Sequence, residues 1–122
     1  MNVIKRIKVM NSKFYVSLEA ARLLKKKGYN EKTDFFIDEY GIWKWDNRAF
    51  LDLPCPTKAE AIDWLESKGI IVEVPFVRNK KWRFSLYKGD CFYMDSWIHD
   101  RLDFPTRLEA EEAAIIKALT LL

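Results

Sequence analysis

Pro54-Cys55-Pro56-Thr57-Lys58-Ala59-Glu60-Ala61-Ile62-Asp63-Trp64-Leu65-Glu66-Ser67-Lys68-Gly69 reads as one helix with its start and stop signals in place. The two prolines keep the chain extended before it. Thr57 and Glu60 have capping-box spacing, in which each side chain satisfies a backbone N–H near the helix start. Ala61, Trp64 and Leu65 share one face with Ile62 beside them, while Glu60, Asp63 and Glu66 take the solvated side. Gly69 supplies the stop. Nearly every residue has a structural role, so this helix marks architecture rather than chemistry.

Two other stretches echo it. In Val16-Ser17-Leu18-Glu19-Ala20-Ala21-Arg22-Leu23-Leu24-Lys25-Lys26-Lys27-Gly28 the residues Val16, Ala20, Leu23 and Leu24 form one stripe. Ser17 is placed to cap, the three lysines suit the negative end of the helix dipole, and Gly28 ends the helix. After Phe104-Pro105, Thr106 and Glu109 form a second capping box, with Leu108, Ile115, Leu119 and Leu122 along one face. Ala118 stands where the other two helices have glycine, so this helix runs on to the C-terminus. Its apolar residues spread around the circumference after Ala113, and its end is expected to be buried or shared with another chain.

Strands fill the intervals. Asp34–Asp38 and Gly41–Trp45 form a hairpin, with Glu39-Tyr40-Gly41 as the turn and the glycine supplying its unusual dihedral. Ile70 to Val77 alternates, with Pro75 weakening pairing at its distal end. Arg78-Asn79-Lys80-Lys81 is a basic turn into a half-buried strand, Trp82 to Tyr87, and Lys88-Gly89-Asp90 turns into Cys91–Asp95. Residues 3–10 fit an edge strand or a loose basic arm, and the looseness usual at termini favours the arm. The expected fold is α+β: two layers, one antiparallel sheet with helices on one face, in the order α-β-β-α-β-β-β-α.

Superposing Glu19, Glu60 and Glu109 also superposes Ala20, Ala61 and Ala110, and Lys27, Lys68 and Lys117. A constant offset carries Phe35, Trp43 and Leu53 onto Phe84, Phe92 and Leu102. One reading is an internal duplication, with halves 14–56 and 57–122 and Ile70–Val77 inserted in the second. The other is that shared capping preferences make unrelated helices look alike. Both give the same layout within a single domain, 1–122.

The 122 residues are 49% hydrophobic and 32% charged, a globular composition with a net charge of +3, too mild to point by itself to nucleic acid or a membrane surface. No run approaches the roughly 18 apolar residues of a membrane span. The interleaving of Lys5, Arg6 and Lys8 with Val3, Ile4, Ile7 and Val9 lacks the apolar region of a signal peptide. Cys55 and Cys91, with no CxxC, read as reduced thiols, a single disulfide between them being the alternative the sequence leaves open. A cytoplasmic protein is expected.

Chemistry-bearing motifs are sparse. His99 is the single histidine, set in Asp95-Ser96-Trp97-Ile98-His99-Asp100 without a second His or Cys at ligand spacing, and it reads as a surface turn. There is no Gly-rich phosphate loop and no GxSxG. No catalytic site, metal or cofactor is therefore expected. The stronger signal is aromatic and basic residues together on strands. Arg83 and Tyr87 share a face opposite Trp82, Phe84 and Leu86, Tyr93 can join them from the next strand, and Arg78, Lys80 and Lys81 sit at the turn. Such a face can stack bases and meet phosphates; it is equally the outer face of an amphipathic sheet, or an oligomer interface.

From Thr57 onward the helix, three strands, helix order resembles the double-stranded-RNA-binding fold. The resemblance is topological. Glu109, Glu111 and Glu112 stand where RNA-binding members carry a lysine-rich helix start, and Arg78 to Lys81 lacks the family's Gly-Pro-x-His loop. More of the chain resembles small proteins of gut bacteria and their phages that have no established activity. The shared stretches are Val16 to Tyr29, the Pro56-Thr57 start with Trp64-Leu65, and the Glu109-Ala110 helix ending Ala118-Leu119-Thr120-Leu121-Leu122. Where such relatives have Arg-Glu-x-His after Trp-Leu, this chain has Glu66-Ser67-Lys68-Gly69. That resemblance implies a phage- or mobile-element-linked cytoplasmic protein. The expectation is a non-catalytic module that binds a protein or itself, with nucleic-acid binding through Arg78, Lys80, Lys81, Arg83, Tyr87 and Tyr93 as the alternative, and no membrane partner.

Overall fold

A computed structural model describes residues 4–6, 12–33, 35–38, 41–45, 53–89 and 91–122, of which 4–6, 12, 38, 41–45, 92 and 93 are described by their backbone. The chain has an α+β fold with antiparallel sheets. Its elements, in order, are β1 (Ile4–Arg6), a 3-10 turn (Ser12–Phe14), α1 (Leu18–Lys26), β2 (Phe35–Asp38), β3 (Gly41–Trp45), β4 (Leu53–Pro54) and α2 (Lys58–Ser67). They continue as β5 (Ile70–Glu73), β6 (Phe76–Val77), β7 (Lys81–Trp82), β8 (Ser85–Lys88), β9 (Cys91–Asp95), α3 (Ser96–Asp100) and α4 (Arg107–Leu121).

The helices follow their local signals. Ser17 Oγ accepts the Ala20 N–H at 3.1 Å, and Thr57 and Glu60 form the reciprocal box on α2. Gly28 and Gly69 take φ +96° and +92°, the left-handed stop that glycine adopts without strain. On α4 half of the expected box forms: Thr106 Oγ1 accepts the Glu109 N–H at 3.2 Å, without the return bond from the Thr106 N–H to the Glu109 side chain.

The strands divide differently from the single sheet expected. They form a four-stranded sheet β1-β3-β2-β4, a three-stranded sheet β5-β8-β9 and a two-stranded ribbon β6-β7. The first hairpin pairs as read, Phe36 opposite Trp43 and Ile37 opposite Ile42; its link, residues 39–40, lies outside the described residues. Two edge strands flank it. Ile4–Arg6 pairs with β3, so this part of the expected arm is a strand. Leu53–Pro54 pairs with β2 at the opposite edge, where a proline without an N–H is tolerated.

The second region is one long hairpin interrupted in the middle. Glu73 faces Ser85 on one side of the interruption and Phe76 faces Trp82 on the other, in unbroken register. Between them Pro75 has no N–H to give, so the Arg83 N–H to Pro75 O bond, 3.1 Å, is the one that remains of the pair. β9 then pairs with β8, with a bulge opposite Leu86 and Tyr87. At Ser96 the chain leaves the ladder for the single turn α3 and returns at Phe104. There the N–H and carbonyl groups of Phe104 and Trp82 exchange two bonds of 2.8 Å. The expected surface turn at residues 95–100 is thus a capped helix inserted into a strand.

α4 packs against α1, α2, β5 and β8. It runs alongside α1 in the same direction, tied by the Ser17 N–H to Glu112 Oε1 (3.0 Å) and by Lys27 Nζ to Leu122 O (2.7 Å). Ala114, Ile115, Ala118 and Leu119 are buried in one cluster with Leu24, Leu65, Ile70 and Leu86. The apolar end of α4 is therefore largely covered by its own chain, which removes the ground for expecting a second chain there. The two hairpins with constant offset are both present, but β4 adds to the first and β5 to the second, and β1 pairs on the β3 side.

Candidate functional site

The apolar face of the long hairpin carries Ile70, Val72, Val74 and Phe76 opposite Leu86, Phe84 and Trp82. Period-two alternation puts these residues on one side. Near the helices the stripe is core: Ile70, Phe84 and Leu86 are buried. At the ribbon the cover ends. Phe76 remains 59% exposed, its ring edge-on to Trp82 with centroids 5.1 Å apart. Trp82 is half-buried beneath the Phe104 bridge.

α3 adjoins this end. Asp95 caps it, accepting the Trp97 and Ile98 N–H groups at 2.8 and 3.0 Å on one carboxylate oxygen and the Ser85 hydroxyl at 3.1 Å on the other. Burial pushes the Asp95 carboxyl up. The hydrogen bonds from Ile98, Trp97 and Ser85, together with the Arg83 charge, outweigh it and hold the group below its usual value. Ser96 is fully buried, its Oγ accepting the Phe84 N–H at 3.0 Å. Arg101 closes the turn at φ 57°. This short helix is well fixed, yet Ile98 is 65% exposed and Leu102, just beyond it, 47%. The Arg83 and Arg101 guanidiniums lie 4.4 and 5.7 Å from the centre of the Trp97 ring, a cation–π arrangement.

The residues singled out from sequence fall into two groups. Arg78 and Lys80 are exposed at the hairpin tip, Lys81 is half-buried on β7, and Arg83 lies between β7 and β8 over Trp97. These gather at the same end as Phe76 and Trp82. Asn79 and Lys80 both have positive φ, 66° and 56°, which fixes a tight tip. Tyr87 lies farther along β8 on the face it shares with Arg83, opposite Phe76 and Trp82, where the Glu73 charge and hydrogen bond hold its phenol above the usual value. Glu73 on β5 and Asp95 on β9 both pair with Ser85, placing a carboxylate on each outer strand in one row across that face. Tyr93 falls at the bulge, and its side chain lies outside the described residues.

Sequence reasoning passed over Phe76, Trp97, Ile98, Arg101 and Leu102. Asp95 was the available signal, a good N-cap residue immediately before Ser96. His99 is tied locally, its Nδ1 accepting the Asp95 N–H at 3.0 Å.

Elsewhere, a groove of about 370 Å³ along α2 is lined by Tyr29, Glu31, Glu60, Asp63 and Trp64. Another of about 460 Å³ lies between Phe14, Lys58, Arg107 and Leu108. Neither gathers the predicted residues. Among the described residues no group of three or more His, Cys, Asp or Glu is placed to hold a metal, and no helix is long and apolar enough to cross a membrane. No family model, curated protein or solved structure matches the chain.

Proposed function

We propose that the chain is a non-catalytic binding module that docks another protein through the ribbon end of its long hairpin and α3. The observation that carries this is the apolar stripe running past its helical cover, leaving Phe76 59% exposed at the end of the hairpin where α3, held to Phe84 through Ser96, presents Ile98 at 65%. Covering either side chain would contribute about 1–2 kcal/mol. Tryptophan and arginine are the residues enriched at interface hot spots; Trp82 packs against Phe76, and Trp97, next to Ile98 in the chain, carries Arg83 and Arg101 over its ring. The sequence resemblance sets this binding in a cytoplasmic, phage- or mobile-element-linked context.

Nucleic acid is the competing partner, and the cations of the hairpin tip speak for it. Against it stand Glu73 and Asp95, whose carboxylates would repel phosphate along the face that Tyr87 occupies.

Site-specific photo-crosslinking in cells tests the reading. A crosslinkable residue at Phe76 or Ile98 is expected to trap one discrete protein, which then rebinds the purified chain. The same residue at Arg22 or Thr120, remote in the fold, is expected to trap none. Equal trapping at all four positions, or nucleic acid as the trapped species, contradicts it.

A further inference from the structure

Resting on that reading, we infer that the partner meets this end of the molecule with an acidic polypeptide segment that also carries large apolar side chains. The hairpin tip places Arg78, Lys80 and Lys81 within four positions, and among the described residues no ion pair engages any of them. Nearby, Arg83 and Arg101 lie against the Trp97 ring, and the Arg83 Nε is buried without an acceptor. Asp95, a carboxylate that feels the Arg83 charge, is already engaged by Trp97, Ile98 and Ser85.

The cations are presented from a tight loop. Lys80 sits in left-handed backbone, a conformation a lysine adopts only when its surroundings impose it. This end therefore combines a positive tip in fixed geometry with uncovered Phe76, Ile98 and Leu102. A purely apolar occupant would desolvate those charges without compensation. A basic one would be repelled. Carboxylates interspersed with large apolar residues meet both demands. A nucleic acid could meet the tip cations and stack on Phe76, but it offers Ile98 and Leu102 no aliphatic side chains to pack against.

The test uses the isotope-labelled full chain and four probes. Three are peptides with one set of Leu and Phe positions, interspersed with glutamate, with serine or with lysine; the fourth is a single-stranded oligonucleotide. The glutamate peptide is expected to shift the amide signals of residues 76–83 and 97–102 and to bind at least tenfold tighter than the serine peptide. A chain carrying Arg78→Ser, Lys80→Ser and Lys81→Ser, at the tip and the first position of β7, is expected to lose that tenfold preference while its other signals stay in place. Equal binding of the three peptides overturns the acidic partner but leaves the docking surface. Oligonucleotide binding at the same amides, tighter than the glutamate peptide, overturns the polypeptide class. If no peptide shifts these signals the inference falls, and crosslinking at Phe76 and Ile98 decides the underlying reading separately.

Discussion

Replacing Asp95 should loosen the site before it unfolds the protein. One carboxylate oxygen holds the Trp97 and Ile98 N–H groups at the start of α3, and the other holds Ser85. Asp95→Ala loses the cap, about 1 kcal/mol, and strands the hydroxyl of buried Ser85, about 1 kcal/mol more. The sum of about 2 kcal/mol corresponds to roughly 6–10 °C in the melting temperature of a chain this size. Asp95→Asn keeps a capping oxygen and loses the charge, so it should cost less than half as much. The pH dependence has a definite sign. The folded-state pKa lies below the ordinary 3.8, so the charge contributes stability above that value and loses it as pH falls through the folded pKa. Urea denaturation of the three proteins should therefore show the gap between wild type and Asp95→Asn narrowing from about pH 5 to about pH 3. Amide exchange should quicken at Trp97 and Ile98 in Asp95→Ala ahead of the core. An alanine variant no less stable than the asparagine one, or unchanged exchange at those two amides, would refute the capping argument.

Other perturbations probe the scaffold. Leu119→Ala, at a fully buried position on α4, should cost about 2–4 kcal/mol, whereas Leu122→Ala, 39% exposed, should cost under about 0.5 kcal/mol; chemical denaturation separates them, and similar costs would mean the helix end is covered otherwise. The Cys55 thiol, buried first of all and facing Glu112 and Glu60, is pushed from 9.0 up to about 12. A thiol-reactive dye near neutral pH should label exposed Cys91 readily and Cys55 only after unfolding. Because the folded thiol stays protonated longer than the unfolded one, Cys55 should also withdraw stability as pH rises above about 9, and Cys55→Ala should flatten that alkaline fall. Glu60 completes a reciprocal capping box and Glu109 does not. Glu60→Ala should thus lower the melting temperature more than Glu109→Ala, by about 0.5–1 kcal/mol in stability terms.

The parts of this fold that were legible in the sequence are those decided by neighbours along the chain. Thr57, Glu60 and Gly69 delimit α2 through contacts a few residues apart, and the alternation from Ile70 to Phe76 fixes which side of the hairpin is apolar. The division into separate sheets was not legible, because β1 and β4 are each two or three residues long and are defined by their pairing partners on β3 and β2. α3 escaped because five residues are too few to show a helical period. Its stability comes from Asp95, Ser96 and the distant Phe84 and Trp82 backbone. The candidate site divided along the same line. The tip cations were visible as a run, and Arg83 fell where the alternation put it. That Phe76 outruns its cover, and that Trp97 holds two arginines, depend on where the helices stop and where the chain rejoins the ladder.

The most direct test of the docking claim is the affinity of the crosslinked partner for variants of the exposed apolar residues. Phe76→Ala with Ile98→Ala should weaken binding at least tenfold, the equivalent of about 1.4 kcal/mol or more, without lowering the melting temperature appreciably. Phe14→Ala with Leu122→Ala, also exposed but elsewhere in the fold, should leave it unchanged. Equal affinity for both double variants would contradict the assignment of this end of the molecule as the binding surface.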